Sequence, residues 1–149
     1  MDSKVLEDNN SKLLKEFRPR EIKAVLDQMY PDKTLGHDGM TVGFYKHYWS
    51  IVGRDVTRVI QGFFNGEDQV KEINHANLVL ISKKKQPSTP KDYRPISLYN
   101  VSYKIISKVL ANRLKELLSE IIDKSQSAFV QGRIIFDNII VAHETIHSM

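Results

Sequence analysis

The stretch from Leu78 to Asn100, LVLISKKKQPSTPKDYRPISLYN, limits the folds open to this chain more than any other. Its centre, Gln86-Pro87-Ser88-Thr89-Pro90, cannot be helical, because each proline drives the residue before it into extended geometry. On one side stands Leu78-Val79-Leu80-Ile81, an apolar run bounded by turn residues that reads as a short buried strand. On the other side the chain returns through Tyr93-Arg94-Pro95-Ile96-Ser97-Leu98. The simplest object is an antiparallel hairpin with its tip at Ser88 and Thr89. Folding about that centre sets Lys83 opposite Arg94, and directly opposed residues share a face with Cβ atoms roughly 5 Å apart. Two cations so placed repel, by roughly 0.7 kcal/mol at ~6 Å in water. An anion between them turns the repulsion into a site. Phosphate suits it, since an arginine forks onto the oxygens and a lysine adds a point charge. The competing reading is a solvated basic tip.

The flanks read as helices. Pro19 suits the first turn of a helix running to about Met29, with Ile22, Val25, Leu26 and Met29 on one face. Pro31 stops it, and Gly36 and Gly39 make a turn. Thr41 caps a helix from Val42, in which Phe44, Tyr45, Tyr48, Trp49 and Val52 form one apolar stripe. An aromatic stripe can stack bases, but helical spacing explains it as core packing. A further helix is expected from Asp55 to Phe64, ending at Asn65-Gly66. The longest is expected from Val101 to Ile122, with Ile105, Ile106, Val109, Leu110, Leu114, Leu117, Leu118 and Ile121 on one wide stripe. Ser125 to Arg133 reads as irregular, and a last helix is expected from Ile134 to about His147. Residues 1–10 are polar and expected to be loose.

With 149 residues, 41% of them apolar and 27% charged, the chain has the material for one soluble globular domain. The net charge of +4 points mildly to an anionic partner. Its distribution says more: between Lys83 and Lys115 there are nine Lys or Arg and one acid, Asp92. Such clustering is the footprint of a nucleic-acid contact. There is no cysteine, which rules out disulfides and thiolate chemistry. No apolar run approaches a membrane span and the first residues do not read as a signal peptide, so an intracellular protein, nuclear or cytoplasmic, with no membrane partner is expected.

Four segments, in order, resemble reverse transcriptases of non-LTR (LINE-type) retrotransposons, particularly the plant kind. Leu80-Ile81-Ser82-Lys83 followed by Tyr93-Arg94-Pro95-Ile96-Ser97-Leu98 is similar to the fingers hairpin of that family. Lys33-Thr34-Leu35-Gly36-His37-Asp38-Gly39 resembles its K-A-P-G-P-D-G segment, with Leu35 and His37 in place of two prolines. Residues 103–114, YKIISKVLANRL, resemble the helix after the hairpin. Gln126-Ser127-Ala128-Phe129-Val130-Gln131-Gly132-Arg133, then Asp137-Asn138-Ile139, resembles the entry to the palm.

The resemblance implies an α+β, mostly helical fold with one short antiparallel hairpin. It implies a partial reverse-transcriptase domain, fingers and the start of the palm, over residues 11–149. Lys83 and Arg94 would neutralise the triphosphate of an incoming nucleotide. Lys84, Lys85, Lys104, Lys108, Gln126, Gly132 and Arg133 would contact template or other nucleic acid. The implied partners are an RNA template, a DNA primer, deoxynucleoside triphosphates and a palm and thumb segment outside this sequence. The implied cofactor is Mg²⁺ in the intact enzyme, gripped by palm aspartates. This sequence holds no Asp-Asp pair, so it is expected to bind no metal, to be inactive alone and to expose apolar surface where a palm would pack. The alternative is a non-catalytic basic nucleic-acid-binding module.

One motif points elsewhere. His143-Glu144-Thr145-Ile146-His147 is a literal H-E-x-x-H on an expected helix, the pattern of a zinc hydrolase. Only Ser148 and Met149 follow, where a third ligand would be expected downstream, and the resembled family runs the same letters on a helix of its own. The motif is read as an ordinary helix.

Overall fold

The computed structural model describes residues 7–32, 35–66, 73–123, 132 and 134–147. The described residues are mostly helical, with one two-stranded antiparallel sheet. In chain order the elements are α1 (Glu7–Leu14), α2 (Pro19–Asp27), α3 (Val42–His47), α4 (Trp49–Phe64), β1 (Ala76–Ser82), a 3₁₀ turn (Pro90–Asp92), β2 (Tyr93–Tyr99), α5 (Val101–Ile121) and α6 (Ile135–His147). The chain divides into two compact units, residues 16–109 on the one hand and residues 1–15 with 110–149 on the other.

The core lies in the first unit. Pro19 opens α2 behind an extended Arg18, and Ile22, Val25 and Leu26 are buried from its one apolar face. Val42, Val56, Ile60, Ile73, Val101, Ile105, Ile106 and Val109 complete the cluster with Phe17 and Met29, and Phe17 stacks on Phe64 with centroids 4.0 Å apart. Lys46 of α3 closes the end of α2: its ammonium donates to the carbonyls of Asp27 at 2.9 Å and Met29 at 2.6 Å. A cation there satisfies carbonyls that the helix itself leaves open. Thr41 caps α3 as expected, its hydroxyl accepting the Phe44 N–H at 3.0 Å.

The boundary between α3 and α4 differs from the expected one. The break comes at Tyr48, not between Val52 and Asp55, and Gly53 lies inside α4. Tyr48 leaves helical geometry, with φ −96° and ψ 20°, while its carbonyl takes the N–H groups of Ile51 and Val52 and restarts the ladder. Gly53 does not stop the helix because its missing side chain is the space Trp49 fills; a Cβ there would stand 2.7 Å from the indole. The stripe divides accordingly. Tyr45, Trp49 and Val52 pack against the core, whereas Tyr48 is exposed.

The hairpin forms, in a different register and without burial. Ile81, not Lys83, stands opposite Arg94, and Ser82 stands opposite Tyr93. The Lys83 N–H continues the ladder to the Asp92 carbonyl at 2.7 Å. The expected pairing is thus wrong by two residues, because the turn at Pro90–Asp92 takes up chain on the return side and moves the centre back towards Pro87 and Ser88. The run read as a buried strand is open to solvent: Leu78 is 66%, Leu80 57% and Ile81 48% exposed. Pro95 sits opposite Leu80, and a residue without an N–H is at home in an edge strand.

The other unit has its own anchors. The chain is helical from Glu7, not loose to residue 10. The buried Asn9 amide donates to Glu120 at 2.8 Å, and Arg113 donates to the carbonyls of Leu13, at 2.9 Å, and Lys15 at the end of α1. Leu117 is buried there, while Leu110 and Leu114 of the same stripe are exposed, as are Phe136, Ile139, Ile140 and Ile146 of α6.

Candidate nucleic-acid interface

Hairpin geometry decides which of its cations are available. Lys83 bends back across the tip, its ammonium donating to the Lys91 carbonyl at 2.9 Å. Lys84 pairs with Asp92 at 2.9 Å. Lys85 and Arg94 are exposed and have no hydrogen-bond or ion-pair partner among the described residues. Along the strands a two-residue slip preserves the face. Lys83 and Arg94 are therefore diagonal neighbours rather than an opposed pair, in an arrangement with ~7–8 Å typical spacing.

Asp92 organises the tip. Its carboxylate accepts the N–H of Ser88 and of Thr89, each at 2.9 Å, besides the Lys84 ammonium. The Lys84 contact, then the two backbone donors, hold its pKa down to about 2 from the usual 3.8. The one acid in a basic segment is therefore a structural clamp. It consumes the charge of Lys84 and leaves Arg94 as an unpaired guanidinium beside the tip.

At the other end of the hairpin, Tyr99 stacks on Tyr103 of α5 with centroids 4.1 Å apart. Lys104 and Lys108 follow, half-buried, one turn apart on the same helix face. The Gly36–Met40 turn docks at this junction. A Cβ on Gly36 would stand 2.5 Å from the Asn100 Cα, and the Asn100 carboxamide oxygen accepts the Asp38 N–H at 3.3 Å. Asp38 also faces Tyr45, whose phenol is pushed up by burial and by that carboxylate. Lys33 and Thr34 of the same segment lie outside the described residues, as do Gln126 and Arg133. Gly132 takes a left-handed φ of 81°, which suits glycine, and belongs to the unit that does not contain the hairpin. Asn100 was not among the expected site residues. Its place between a strand end and a helix start was open to the sequence, whereas the docking of the Gly36 turn on it is a tertiary contact.

His143 and His147 face each other, their Nε2 atoms 3.1 Å apart on exposed α6. Among the described residues no three His, Cys, Asp or Glu side chains come together as a metal-binding group. No described helix is long and apolar enough to cross a membrane.

Comparison with known proteins adds two findings. Residues 81–149 match the family described as reverse transcriptase (RNA-dependent DNA polymerase). The chain is also similar to the Transposon TX1 uncharacterized 149 kDa protein of Xenopus laevis, at 35% identity over 127 residues. That alignment takes in 85% of this chain and 10% of the relative, so the chain spans about a tenth of that protein's length.

Proposed function

We propose that this chain, which belongs to the reverse transcriptases of non-LTR retrotransposons, forms the fingers and palm-entry portion of one such enzyme over residues 11–149. Its part in RNA-templated DNA synthesis is to hold the incoming nucleotide and the template. The observation that carries this reading is the hairpin: a ladder standing clear of the helical core, with Arg94 exposed and unpaired among the described residues while the neighbouring Lys84 is neutralised. An exposed guanidinium of this kind binds a triphosphate through paired, charge-assisted donors. Lys83, a diagonal neighbour, would turn from the Lys91 carbonyl to the same phosphate. Lys85, Lys104 and Lys108 would track the template, a part that the resemblance also gives to Gly132 and Arg133. The exposed apolar residues of α6 suit a helix that packs against the remainder of a larger domain.

The whole polymerase would draw on Mg²⁺, which activates the primer hydroxyl and steadies the leaving pyrophosphate. The described carboxylates do not fit such a centre: Asp92 is spent on the hairpin tip, Asp38 faces Tyr45, and no three ligating side chains converge. No metal-dependent step is assigned to them.

The test is a titration of the chain with a deoxynucleoside triphosphate at two salt concentrations. Charge-assisted contacts contribute roughly 1.5–3 kcal/mol, so Arg94→Ala should weaken binding about tenfold or more. Arg94→Lys should recover part of the loss, since the planar fork is gone but the charge remains. Lys12→Ala, on exposed α1, should change little. Joint substitution of Lys83 and Arg94 should cost less than the sum of the single changes if both grip one phosphate. Equal losses from Lys12→Ala and Arg94→Ala would leave a diffuse basic surface, the property of a plain nucleic-acid-binding module.

A further inference from the structure

A groove of about 540 Å³ runs along α4, lined by Pro19, Trp49, Ser50, Arg54, Arg58 and Gln61 among others. It follows a second stripe of the helix, at positions 50, 54, 58 and 61, beside the stripe whose Val56 and Ile60 enter the core. Its wall is fixed. The Trp49 indole lies against Gly53 so closely that any side chain at that position would collide with the ring, and the Lys23 ammonium stands 5.7 Å from the ring centroid.

Two of the neutral polar side chains of the groove, Thr57 and Gln61, are already engaged. The Thr57 hydroxyl donates to the Gly53 carbonyl at 2.7 Å, and the Gln61 amide donates to the Phe17 carbonyl at 2.8 Å. What remains for a ligand is the Ser50 hydroxyl and a set of cations. Arg54 is exposed with no partner among the described residues. Arg58 has Asp55 at 3.1 Å, but both side chains are 72% exposed, so water screens the pair and leaves the guanidinium exchangeable. Arg18 and Arg20, both exposed, flank Pro19 at the end of the groove. Like charges at i and i+4 repel on a helix, and an anion bridging Arg54 and Arg58 relieves this.

A ligand that fits is rich in acceptors, negatively charged at regular intervals, and large enough for a volume typical of small-molecule sites rather than for one inorganic ion. We propose that the groove is a second nucleic-acid site. It takes a short run of single-stranded sugar–phosphate backbone, with phosphates on Arg54 and Arg58 and a base or sugar against the Trp49–Pro19 wall. The site shares no residue with the hairpin and does not depend on the triphosphate reading of Arg94.

Trp49 is the one tryptophan in the chain, so its fluorescence reports this groove alone. The 149-residue chain is titrated with a short oligothymidylate while Trp49 emission and oligonucleotide anisotropy are followed together, with polyglutamate as a parallel arm. A saturable change in Trp49 emission is expected, coincident with binding. Arg54→Gln and Arg58→Gln should each weaken that signal about tenfold, by the loss of one charge-assisted contact. Replacing both should flatten the log–log salt dependence by about 1.4, at about 0.7 per single-strand contact. Both arginines are exposed on a helix surface, and circular dichroism identifies any variant that does not fold. Arg54→Lys serves as the second variant and should keep the salt slope. Lys12→Ala, on α1 and outside the groove, should leave the Trp49 midpoint within about twofold. Failure of the triphosphate reading appears in the Arg94 titration and does not touch this one. Silent Trp49 emission while anisotropy rises, an unmoved midpoint in the glutamine variants, or polyglutamate binding as tightly as the oligonucleotide would each overturn the proposal.

Discussion

Two apolar regions of the 16–109 unit meet opposite fates. Ile22, Leu26, Ile60 and Ile105, drawn from three helices, are fully buried in one cluster. Leu78, Val79, Leu80 and Ile81, consecutive in one strand, are all exposed. A helix gathers its apolar side chains on one stripe and can bury them all against a neighbour. A strand sends alternate side chains to opposite faces, so a continuous apolar run needs a cover on each side. The hairpin has a paired strand and no covering layer among the described residues, and the roughly 1.5–3 kcal/mol that burial yields per large side chain is not collected there. What holds it is the ladder, the Asp92 clamp at one end and the Tyr99–Tyr103 stack at the other. Apolar content therefore marks the core in one region and leaves an open surface in the other.

The comparison breaks first, if it is wrong, in the core. Ile60→Ala and Ile105→Ala should each lower the free energy of unfolding by about 2–5 kcal/mol in urea denaturation. Losses below about 1 kcal/mol would mean that the helices do not form one packed cluster.

Next comes the junction between the regions. Gly36→Ala places a methyl against the Asn100 backbone and should cost about 1–3 kcal/mol. Asn100→Ala should not rescue it, because the nearest obstacles include the Asn100 Cα and N rather than the side chain alone. Full rescue by that change would show that the turn docks on the carboxamide only.

The hairpin tip gives a smaller, pH-dependent effect. Asp92 has its folded pKa lowered to about 2 from 3.8, so its contribution is complete above 3.8 and is lost as pH falls through about 2. The Ser88 and Thr89 amide shifts in NMR spectra should titrate with a midpoint near 2 and become insensitive to pH over that window in Asp92→Asn. A midpoint at the usual 3.8 would remove the clamp.

The smallest expected effect is on the open strand. Leu80→Thr keeps β propensity while removing apolar surface that is already wet, and should shift stability by no more than about 0.5 kcal/mol. A loss comparable with Ile60→Ala would show that the strand is covered in solution.

Much of the local structure was legible from particular residues. Pro19 marked the start of α2, Thr41 the cap of α3, and Asn65-Gly66 the end of α4, because each acts through its own backbone geometry. The break at Tyr48 was not legible. A glycine normally weakens a helix, yet Gly53 is retained inside α4 because Trp49 folds over it, a contact that spacing alone does not reveal. The site divides in the same way. Arg94 was visible as a cation on a hairpin, but its partner across the ladder was not, since the 3₁₀ turn set the register. The Arg54–Arg58 groove carried no motif, because it depends on Pro19 of α2 standing beside α4.

By itself the sequence determined the helices from Pro19 onward, apart from their break at Tyr48, the existence of the hairpin, the basic segment and the kinship with reverse transcriptases. These rest on period, proline and glycine placement, charge and motif order, all of which are properties of neighbours along the chain. The tertiary structure decided the register, the exposure of residues 78–81, the neutralisation of Lys84, the use of Arg113 to close α1, and the groove beside Trp49. Each of these turns on which distant group stands within a few ångströms of another. Chain closure through turns and side-chain packing sets that distance, and no local pattern encodes it.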